Sequence, residues 1–238
     1  MKEKMLGKIY GIGVGPGDPG LLTVKAAELL KAVPVVCAPR AADDSESFAL
    51  SIVKGYLDTS SQKVITPLFP MSMDKDVLER AWADAADAVV RELEAGSDVA
   101  FLTLGDPALY STYSYILAKI KARLPQAESQ IISGVSSISL AAARAGVDLA
   151  LGSERLAVMP VGRDMDAIRK ALADFDTVVL MKVNRSFGKL VALLDEMGLV
   201  DKAVYVSRCG TERERIVRDL KSINDSELDY LSLVIVRK

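Results

Sequence analysis

The sequence predicts an α/β protein of two lobes with mostly parallel sheets. Short apolar runs alternate with helical runs along all 238 residues. Several apolar runs, such as 99–103, are apolar at nearly every position, which is typical of strands buried on both faces of a parallel sheet. The polar stretch 121–128 contains Pro125 and predicts a boundary between an N-terminal domain, 1–122, and a C-terminal domain, 123–238.

The first domain is expected to repeat strand–loop–helix units. A glycine-rich elbow ends the first strand, Pro67 and Pro70 bound the loop after the third, and Gly105-Asp106-Pro107 ends the fourth. An amphipathic pattern predicts the long helix near 74–94. The predicted strands are 8–14, 33–37, 63–66 and 99–103, and the predicted helices are 21–31, 74–94 and 111–123.

The second domain resumes the same alternation. Gly198 follows a helical run and predicts its end, because glycine readily takes the conformation found just beyond helix C-termini. The charged stretch 210–219 contains Ile216 and Val217 and is interpreted as a hairpin arm. The predicted strands are 130–133, 155–160, 177–183, 203–206 and 231–236, and the predicted helices are one from Ser136, 164–173 and 186–197.

Composition excludes several classes of function. The chain has no histidine, which removes Ser-His-Asp and Cys-His nucleophile schemes and the commonest transition-metal ligand. The net charge of −2 predicts no nucleic-acid surface, and no apolar run is long enough to cross a membrane. No signal peptide is recognised, and Cys37 and Cys209 form no CxxC pair. We therefore expect a cytoplasmic protein without a metal site.

A glycine-rich stretch, GIGVGPGDPGLLT at 11–23, joins the first predicted strand to the first helix. Its glycines fit the G-x-G-x-x-G pattern of dinucleotide sites. However, Pro16 and Pro19 have no N–H to offer a pyrophosphate, and Asp18 would repel it. No GxxxxGK[ST] motif is present either. The stretch therefore indicates either a ligand without phosphate or a structural turn.

Three further strand ends carry candidate site residues. Asp106 lies in TLGDPALYS, at 103–111, where an uncompensated carboxylate suits a cationic or hydrogen-bond-donating ligand. An aspartate before proline also starts ordinary turns. In SGVSS, at 133–137, a serine either caps the following helix or helps to hold an amino acid group. VVLMK, at 178–182, ends another predicted strand with Met181, which is most simply a core residue.

In their order and spacing, GIGVGPGDPGLLT, GDPALYS, SGVSS and VVLMK resemble the tetrapyrrole (precorrin) methyltransferase family over essentially the full chain. GDPALYSTYSYI and SGVSSIS most resemble its C20-methylating branch. That branch acts on precorrin-2 or cobalt-factor II in cobalamin biosynthesis and gives precorrin-3A or cobalt-factor III. The resemblance implies a homodimer with two α/β domains and S-adenosyl-L-methionine bound in a cleft between the lobes.

The resemblance also implies which residues hold the cofactor, largely through backbone groups. A sulfonium methyl donor carries no phosphate, so Asp18 and its neighbouring prolines are compatible with it. The implied cofactor-binding residues are Pro16, Leu104, Gly105, Asp106, Leu109, Ser136, Ser137, Met181 and Cys209.

Little acid–base chemistry is needed for the implied reaction. The C20 meso carbon of a reduced tetrapyrrole is electron-rich, so alignment with the methyl group can supply most of the catalysis. Tyr110 and Tyr113 are candidates for orienting or deprotonating the substrate, although tyrosines at such spacing are more often packing residues. The acetate and propionate groups of the tetrapyrrole substrate need cationic partners. Candidates are Arg40, Arg155, Lys182, Arg185 and Arg208.

Other functions share these motifs. Within the superfamily the acceptor can be another precorrin, uroporphyrinogen III, a diphthamide precursor on a protein, or an rRNA ribose. An rRNA methyltransferase should be more basic than this chain. The alternative from a different class is a non-catalytic module that binds S-adenosylmethionine.

Overall fold

The computed structural model describes residues 5–42, 46–72, 74–162 and 164–238. The chain divides into two units, Met1–Ser136 (unit 1) and Ser137–Lys238 (unit 2), and each contains a five-stranded sheet. The prediction of two α/β domains is therefore confirmed. The division follows Ser136 rather than residue 122, because a strand at Ser129–Ile132 pairs with the first strand of the chain and so belongs to unit 1.

Unit 1 has an entirely parallel sheet with the strand order β3-β2-β4-β1-β5. Its strands are β1 (Ile9–Gly13), β2 (Val35–Cys37), β3 (Lys63–Ile65), β4 (Val99–Thr103) and β5 (Ser129–Ile132). Its helices are α1 (Val24–Ala32), α2 (Phe48–Val53), α3 (Lys75–Glu94) and α4 (Tyr113–Arg123). The parallel sheet agrees with the prediction from the apolar runs, while the short helix α2 was not predicted.

Side chains from the central strands alternate between two apolar layers. Ile9 and Phe101 pack in a cluster with residues of α3 and α4, whereas Ile12 and Leu102 pack in a cluster with residues of α1 and α2. Both faces of the sheet are thus covered by helices, as continuous apolar strands require. The carboxyl ends of the strands remain at one edge.

Unit 2 has a mixed sheet with the order β6-β7-β10-β8-β9. Its strands are β6 (Leu156–Pro160), β7 (Thr177–Met181), β8 (Ala203–Ser207), β9 (Arg215–Val217) and β10 (Ser232–Arg237), and its helices are α5 (Ser137–Ala145), α6 (Met165–Asp174) and α7 (Phe187–Glu196). Strands β6, β7 and β8 run in one direction, but β9 and β10 run in the other.

Three of the five strands of unit 2 share one direction, and the reversal of β10 is not predicted by the apolar pattern. Strand β9 returns along β8 as the predicted hairpin arm. Only 3-10 turns, Leu220–Ser222 and Asp225–Glu227, lie between β9 and β10 in the described chain. Strand β10 runs in the same direction as β9 but inserts between β7 and β8, so it is antiparallel to both of its neighbours.

No helix among the described residues is long and apolar enough to cross a membrane.

Gln62 links the end of α1 to the start of β3. Its Nε2 donates to the backbone oxygens of Leu30 and Val33 at 2.6 and 2.7 Å, and its Oε1 accepts from the N–H of Asp58 at 2.8 Å. The side chain is only 9% exposed. It therefore satisfies carbonyl groups at a helix C-terminus that water reaches poorly.

Replacing this glutamine tests its structural role. Gln62→Met keeps the side-chain length but removes all three hydrogen bonds, so we expect the free energy of unfolding to fall by about 1–3 kcal/mol. Urea denaturation followed by circular dichroism measures the change. Gln126→Met, at an exposed position, is the control and should shift stability by less than about 0.5 kcal/mol. Equal effects of the two substitutions would contradict the role of Gln62.

Candidate active site

Three loops of unit 1 meet at the carboxyl edge of its sheet, after β1, β4 and β5. A Cβ atom on Gly13 would lie 2.5 Å from the backbone oxygen of Gly105 and 2.7 Å from the backbone nitrogen of Gly134. A Cβ atom on Gly134 would lie 2.2 Å from the same Gly105 oxygen. These distances are too short for any side chain, so the three backbones pack directly against one another.

The loops after β1 and β4 are also hydrogen-bonded. The N–H of Gly105 donates to the oxygen of Gly15 at 2.9 Å, and the N–H of Val14 donates to the oxygen of Thr103 at 3.0 Å. Gly15 and Gly105 have φ values of 81° and 64°, which glycine adopts without steric cost. The local backbone therefore favours glycine at both positions.

Asp106 joins the loops after β4 and β5. Its Oδ1 accepts from the N–H of Ala108 at 2.8 Å, and its Oδ2 accepts from the N–H of Gly134 at 3.0 Å. The sequence led us to expect an uncompensated carboxylate at this position. The structure shows instead that Asp106 is a connector, because each oxygen already accepts a backbone hydrogen bond. Each oxygen retains a second lone pair with which to accept from a ligand.

Asp18 and Thr23 shape the loop after β1. Asp18 accepts from the N–H of Gly20 at 2.8 Å and begins the 3-10 turn Pro19–Leu21. The Thr23 hydroxyl accepts from the N–H of Ala26 at 3.3 Å, which begins α1, and donates to the Ser133 oxygen at 3.4 Å. An aspartate between two prolines is thus explained by turn formation and does not require a phosphate ligand.

The unit 1 residues of the implied cofactor set all lie in these three loops. Pro16 is buried, and the others are half-buried or, at Leu109, 36% exposed. In unit 2, Ser137 is the first residue of α5, Met181 is the last residue of β7, and Cys209 follows the end of β8. Every residue of the set therefore lies at or near the carboxyl end of a strand or at the start of a helix. The members in unit 1 are Pro16, Leu104, Gly105, Asp106, Leu109 and Ser136.

The two candidate tyrosines occupy different environments. Tyr110 is 46% exposed and has a φ of 50° at the end of the loop after β4. Tyr113 is fully buried, and its ring lies against Phe101, with centroids 5.6 Å apart, and beneath the backbone of Gly11. Burial raises the pKa of Tyr113 to about 12. Its position in the core does not support the prediction that Tyr113 touches the substrate.

Cys209 lies in the loop after β8 and is 7% exposed. Burial, together with the nearby carboxylate of Glu214, raises the pKa of its thiol to about 12. A thiol of this kind stays protonated near neutral pH and is a poor nucleophile. Cys209 can therefore contribute an apolar surface rather than covalent chemistry.

Two basic residues at the unit 2 edge have unusual backbone conformations. Lys182 directly follows β7 with a φ of 58°, and Arg208 directly follows β8 with a φ of 47°. A positive φ costs a residue with a side chain about 1–2 kcal/mol relative to the ordinary conformation. Strain of this kind is often found at functional sites.

Arg155 and Arg40, two other candidate partners for carboxylates, have structural contacts. Arg155 precedes β6, so it lies at the amino end of that strand, and its guanidinium donates to the oxygen of Asp174 and lies over the ring of Phe175. Arg40 follows β2, and its guanidinium donates to the oxygens of Thr66 and Ala42. Arg155 is therefore at the wrong edge for a site built from strand carboxyl ends.

A cavity of about 580 Å³ in unit 1, the β3–α3 groove, is separate from the glycine loops. Its lining is mainly apolar and comes from the segment that begins at Ile65 and from one face of α3. The lining residues are Ile65, Thr66, Pro67, Leu68, Pro70, Val77, Arg80, Ala81, Asp84 and Ala88. Among the described residues, no group of three or more Cys, Asp or Glu side chains is arranged to hold a metal ion.

The contact between the glycine loops predicts a sharp stability effect. Gly134→Ala places a methyl group against the Gly105 backbone, which cannot swing away as a side chain could, so we expect unfolding to become easier by about 1–3 kcal/mol. Gly55→Ala is the matched control, since a Cβ there meets nothing within 4 Å. Urea denaturation of both variants checks the prediction, which fails if the two are equally stable.

Comparison with known proteins gives full-length matches. The chain is 36% identical to the probable cobalt-precorrin-2 C(20)-methyltransferase of Methanocaldococcus jannaschii, over 99% of this chain and 98% of that protein. It is 38% identical to the cobalt-precorrin-2 C(20)-methyltransferase of Salmonella typhimurium, over 98% of each. It is 33% identical to the precorrin-2 C(20)-methyltransferase of a Sinorhizobium species, over 97% and 95%.

Solved structures share the fold. A cobalt precorrin-4 methyltransferase matches with a TM-score of 0.75 at 21% identity, over 97% of this chain and 94% of the other. The uroporphyrin-III C-methyl transferase of Thermus thermophilus, complexed with S-adenosylhomocysteine, matches with a TM-score of 0.69 at 22% identity, over 97% and 92%. The family model of tetrapyrrole (corrin/porphyrin) methylases matches residues 8–223. The chain therefore belongs to the tetrapyrrole (corrin/porphyrin) methylase family.

Proposed function

We propose that this protein transfers a methyl group from S-adenosyl-L-methionine to C20 of precorrin-2, with or without cobalt, in cobalamin biosynthesis. The observation that carries this proposal is the end-to-end identity of 36–38% with proteins named for that C20 reaction. A shared fold alone would not select an acceptor, because related folds methylate other tetrapyrroles.

The glycine loops of unit 1 fit the proposed cofactor. Gly13 and Gly134 bring three backbones together without side chains, so main-chain groups lie close to the carboxyl edge of the sheet. Asp106 retains lone pairs that can accept from an ammonium or hydroxyl group of the cofactor. Asp18 and its prolines form a turn whose carboxylate accepts from the N–H of Gly20, which is compatible with a donor that carries no phosphate.

Bound S-adenosylmethionine supplies an electrophilic methyl group on a positively charged sulfur. In the proposed reaction, C20 would form the new bond to this carbon as the carbon–sulfur bond breaks, and the proton of C20 would then pass to water. The protein holds the two reactants in line, which is a large part of such catalysis. We propose that Leu104, Gly105 and Leu109 contribute contacts to the donor.

Met181 and Cys209 of unit 2 are proposed to add apolar contacts to the cofactor. Ser137 lies at the start of α5 and is proposed to join the same set, with Ser136 and Pro16 from unit 1. The ligand cleft between the lobes stays a prediction from the resemblance.

The assembly and location of the protein are further proposals. We propose a homodimer, on the strength of the family resemblance, and a cytoplasmic location, on the absence of a disulfide framework. Both cysteines are free and buried. Light scattering at micromolar concentration tests the dimer. A mass near 25.6 kDa, that of one chain, would contradict it.

The acceptor is identified by a direct transfer assay. We expect purified protein with S-adenosylmethionine labelled by ¹³C in the methyl group to place the label on C20 of cobalt-factor II, precorrin-2 or both, as read by NMR of the product. Uroporphyrinogen III and a later precorrin serve as competing acceptors. Label found only on uroporphyrinogen III or on the later precorrin would overturn the choice of acceptor. Binding of the donor without transfer to any of these acceptors would indicate a non-catalytic module.

The two tyrosines give an internal comparison. Tyr110→Phe removes the hydroxyl of a side chain that is 46% exposed in the loop after β4, and we expect kcat to fall by about tenfold to a hundredfold because that hydroxyl is proposed to orient or deprotonate the acceptor. Tyr113→Phe removes a hydroxyl in the core and should leave kcat within about twofold. Steady-state kinetics of both variants shows which tyrosine acts on the acceptor. A larger loss of kcat in Tyr113→Phe than in Tyr110→Phe would contradict the choice of Tyr110.

A further inference from the structure

Lys182 and Arg208 lie on either side of the first residues of β10. The N–H of Lys182 donates to the oxygen of Ser232 at 3.1 Å, and the N–H of Arg208 donates to the oxygen of Leu231 at 2.8 Å. Strand β10 pairs with β7 on one side and with β8 on the other. Since neighbouring strands are about 4.8 Å apart, the two basic residues stand about 10 Å apart at one edge.

The backbone at both positions would suit glycine better than a basic residue. Each has a positive φ, and glycine adopts such a conformation freely. The chain instead carries a lysine and an arginine, each directly after a strand that ends at this edge. Strained backbone at two equivalent positions indicates that the side chains of these residues have a function.

The guanidinium of Arg208 is held in a fixed orientation. Its Nε donates to Oδ2 of Asp229 at 2.6 Å, and Oδ1 of Asp229 accepts from the N–H of Leu231 at 2.8 Å. The N–H of Asp229 donates to the hydroxyl of Tyr205 at 3.3 Å. Within the described chain, the two Nη atoms of Arg208 make no hydrogen bond, so they remain available as a pair of donors.

Lys182 complements this arginine. Its side chain is exposed, and it makes no ion pair with any residue that the structure describes. Asp229 offsets one of the two positive charges, so the pair retains a net charge of +1. Arg185, in the 3-10 turn Val183–Ser186, adds an exposed cation to the same connection.

We propose that Lys182 and Arg208 bind two carboxylate groups of the tetrapyrrole acceptor and so select a substrate with carboxylates around its rim. Asp229 acts as a positioning residue, since it fixes Arg208 through Nε and leaves the two Nη atoms to receive a carboxylate end-on. This inference rests on the proposed function for the identity of the acceptor. The inference goes beyond that function because it names the two cations that bind the acceptor's carboxylates.

Lys182→Gly is the most informative variant, because it removes the charge and relieves the backbone strain together. We expect its stability to equal or exceed that of the wild type, while the Kd for a fluorescent porphyrin octacarboxylate rises by about tenfold to a hundredfold. Lys182→Arg keeps the charge and should restore binding to within about threefold. The matched control is Lys202→Gly, an exposed lysine directly before β8 at the opposite end of the sheet.

Fluorescence titration and calorimetry read the result without any turnover. The wild type should bind the octacarboxylate better than a porphyrin dicarboxylate, and Lys182→Gly should lose most of that difference. Binding of S-adenosylmethionine should be the same in all variants. The proposal is overturned if Lys182→Gly binds the octacarboxylate like the wild type, or if it loses cofactor binding in parallel.

Asp229→Asn tests the positioning role separately. It should weaken octacarboxylate binding less than Arg208→Gln does, and Arg208→Gln should in turn show a smaller decrease of affinity with added salt than the wild type. An unchanged salt dependence in Arg208→Gln would contradict the role of the arginine. Failure of methyl transfer to C20 in the wild type would overturn the proposed acceptor but leave these titrations interpretable.

Discussion

The candidate site depends on the close approach of three glycine backbones at the carboxyl edge of the unit 1 sheet. Gly13, Gly105 and Gly134 lie so close that a Cβ on the first or third would meet main-chain atoms at 2.2–2.9 Å. Because the three loops are in direct contact, Asp106 can accept an N–H from its own loop and another from the loop after β5. The edge is therefore built mainly of backbone, which suits a cofactor held by main-chain groups.

Unit 2 forms its edge by a different route. The antiparallel strand β10 lies between β7 and β8, so the residues that follow those two strands flank its first residues. The backbone conformation there favours glycine, yet the chain carries Lys182 and Arg208. One unit thus presents a surface of backbone groups and the other a pair of cations. The pair of cations agrees with the polycarboxylate acceptor proposed above.

Sequence patterns predicted the alternation of strands and helices well, since β4 matches the predicted range 99–103 and Asp74 begins the long helix α3. They did not predict that β10 is antiparallel, because a buried strand has the same apolar pattern in either direction. The domain boundary was placed before β5, as polarity marks a loop but not the sheet to which the next strand belongs. The pairing of Asp106 and the burial of Tyr113 depend on contacts between distant segments, which a motif does not reveal.

The position at which the cofactor binds decides whether the glycine loops form the active site. Backbone amide NMR of the ¹⁵N-labelled protein, titrated with S-adenosylhomocysteine, maps the residues that respond. We expect the largest shifts at Gly15, Gly105 and Ser136, and at Met181 and Cys209 of unit 2. Shifts confined to the β3–α3 groove, with the glycine loops unchanged, would contradict this expectation.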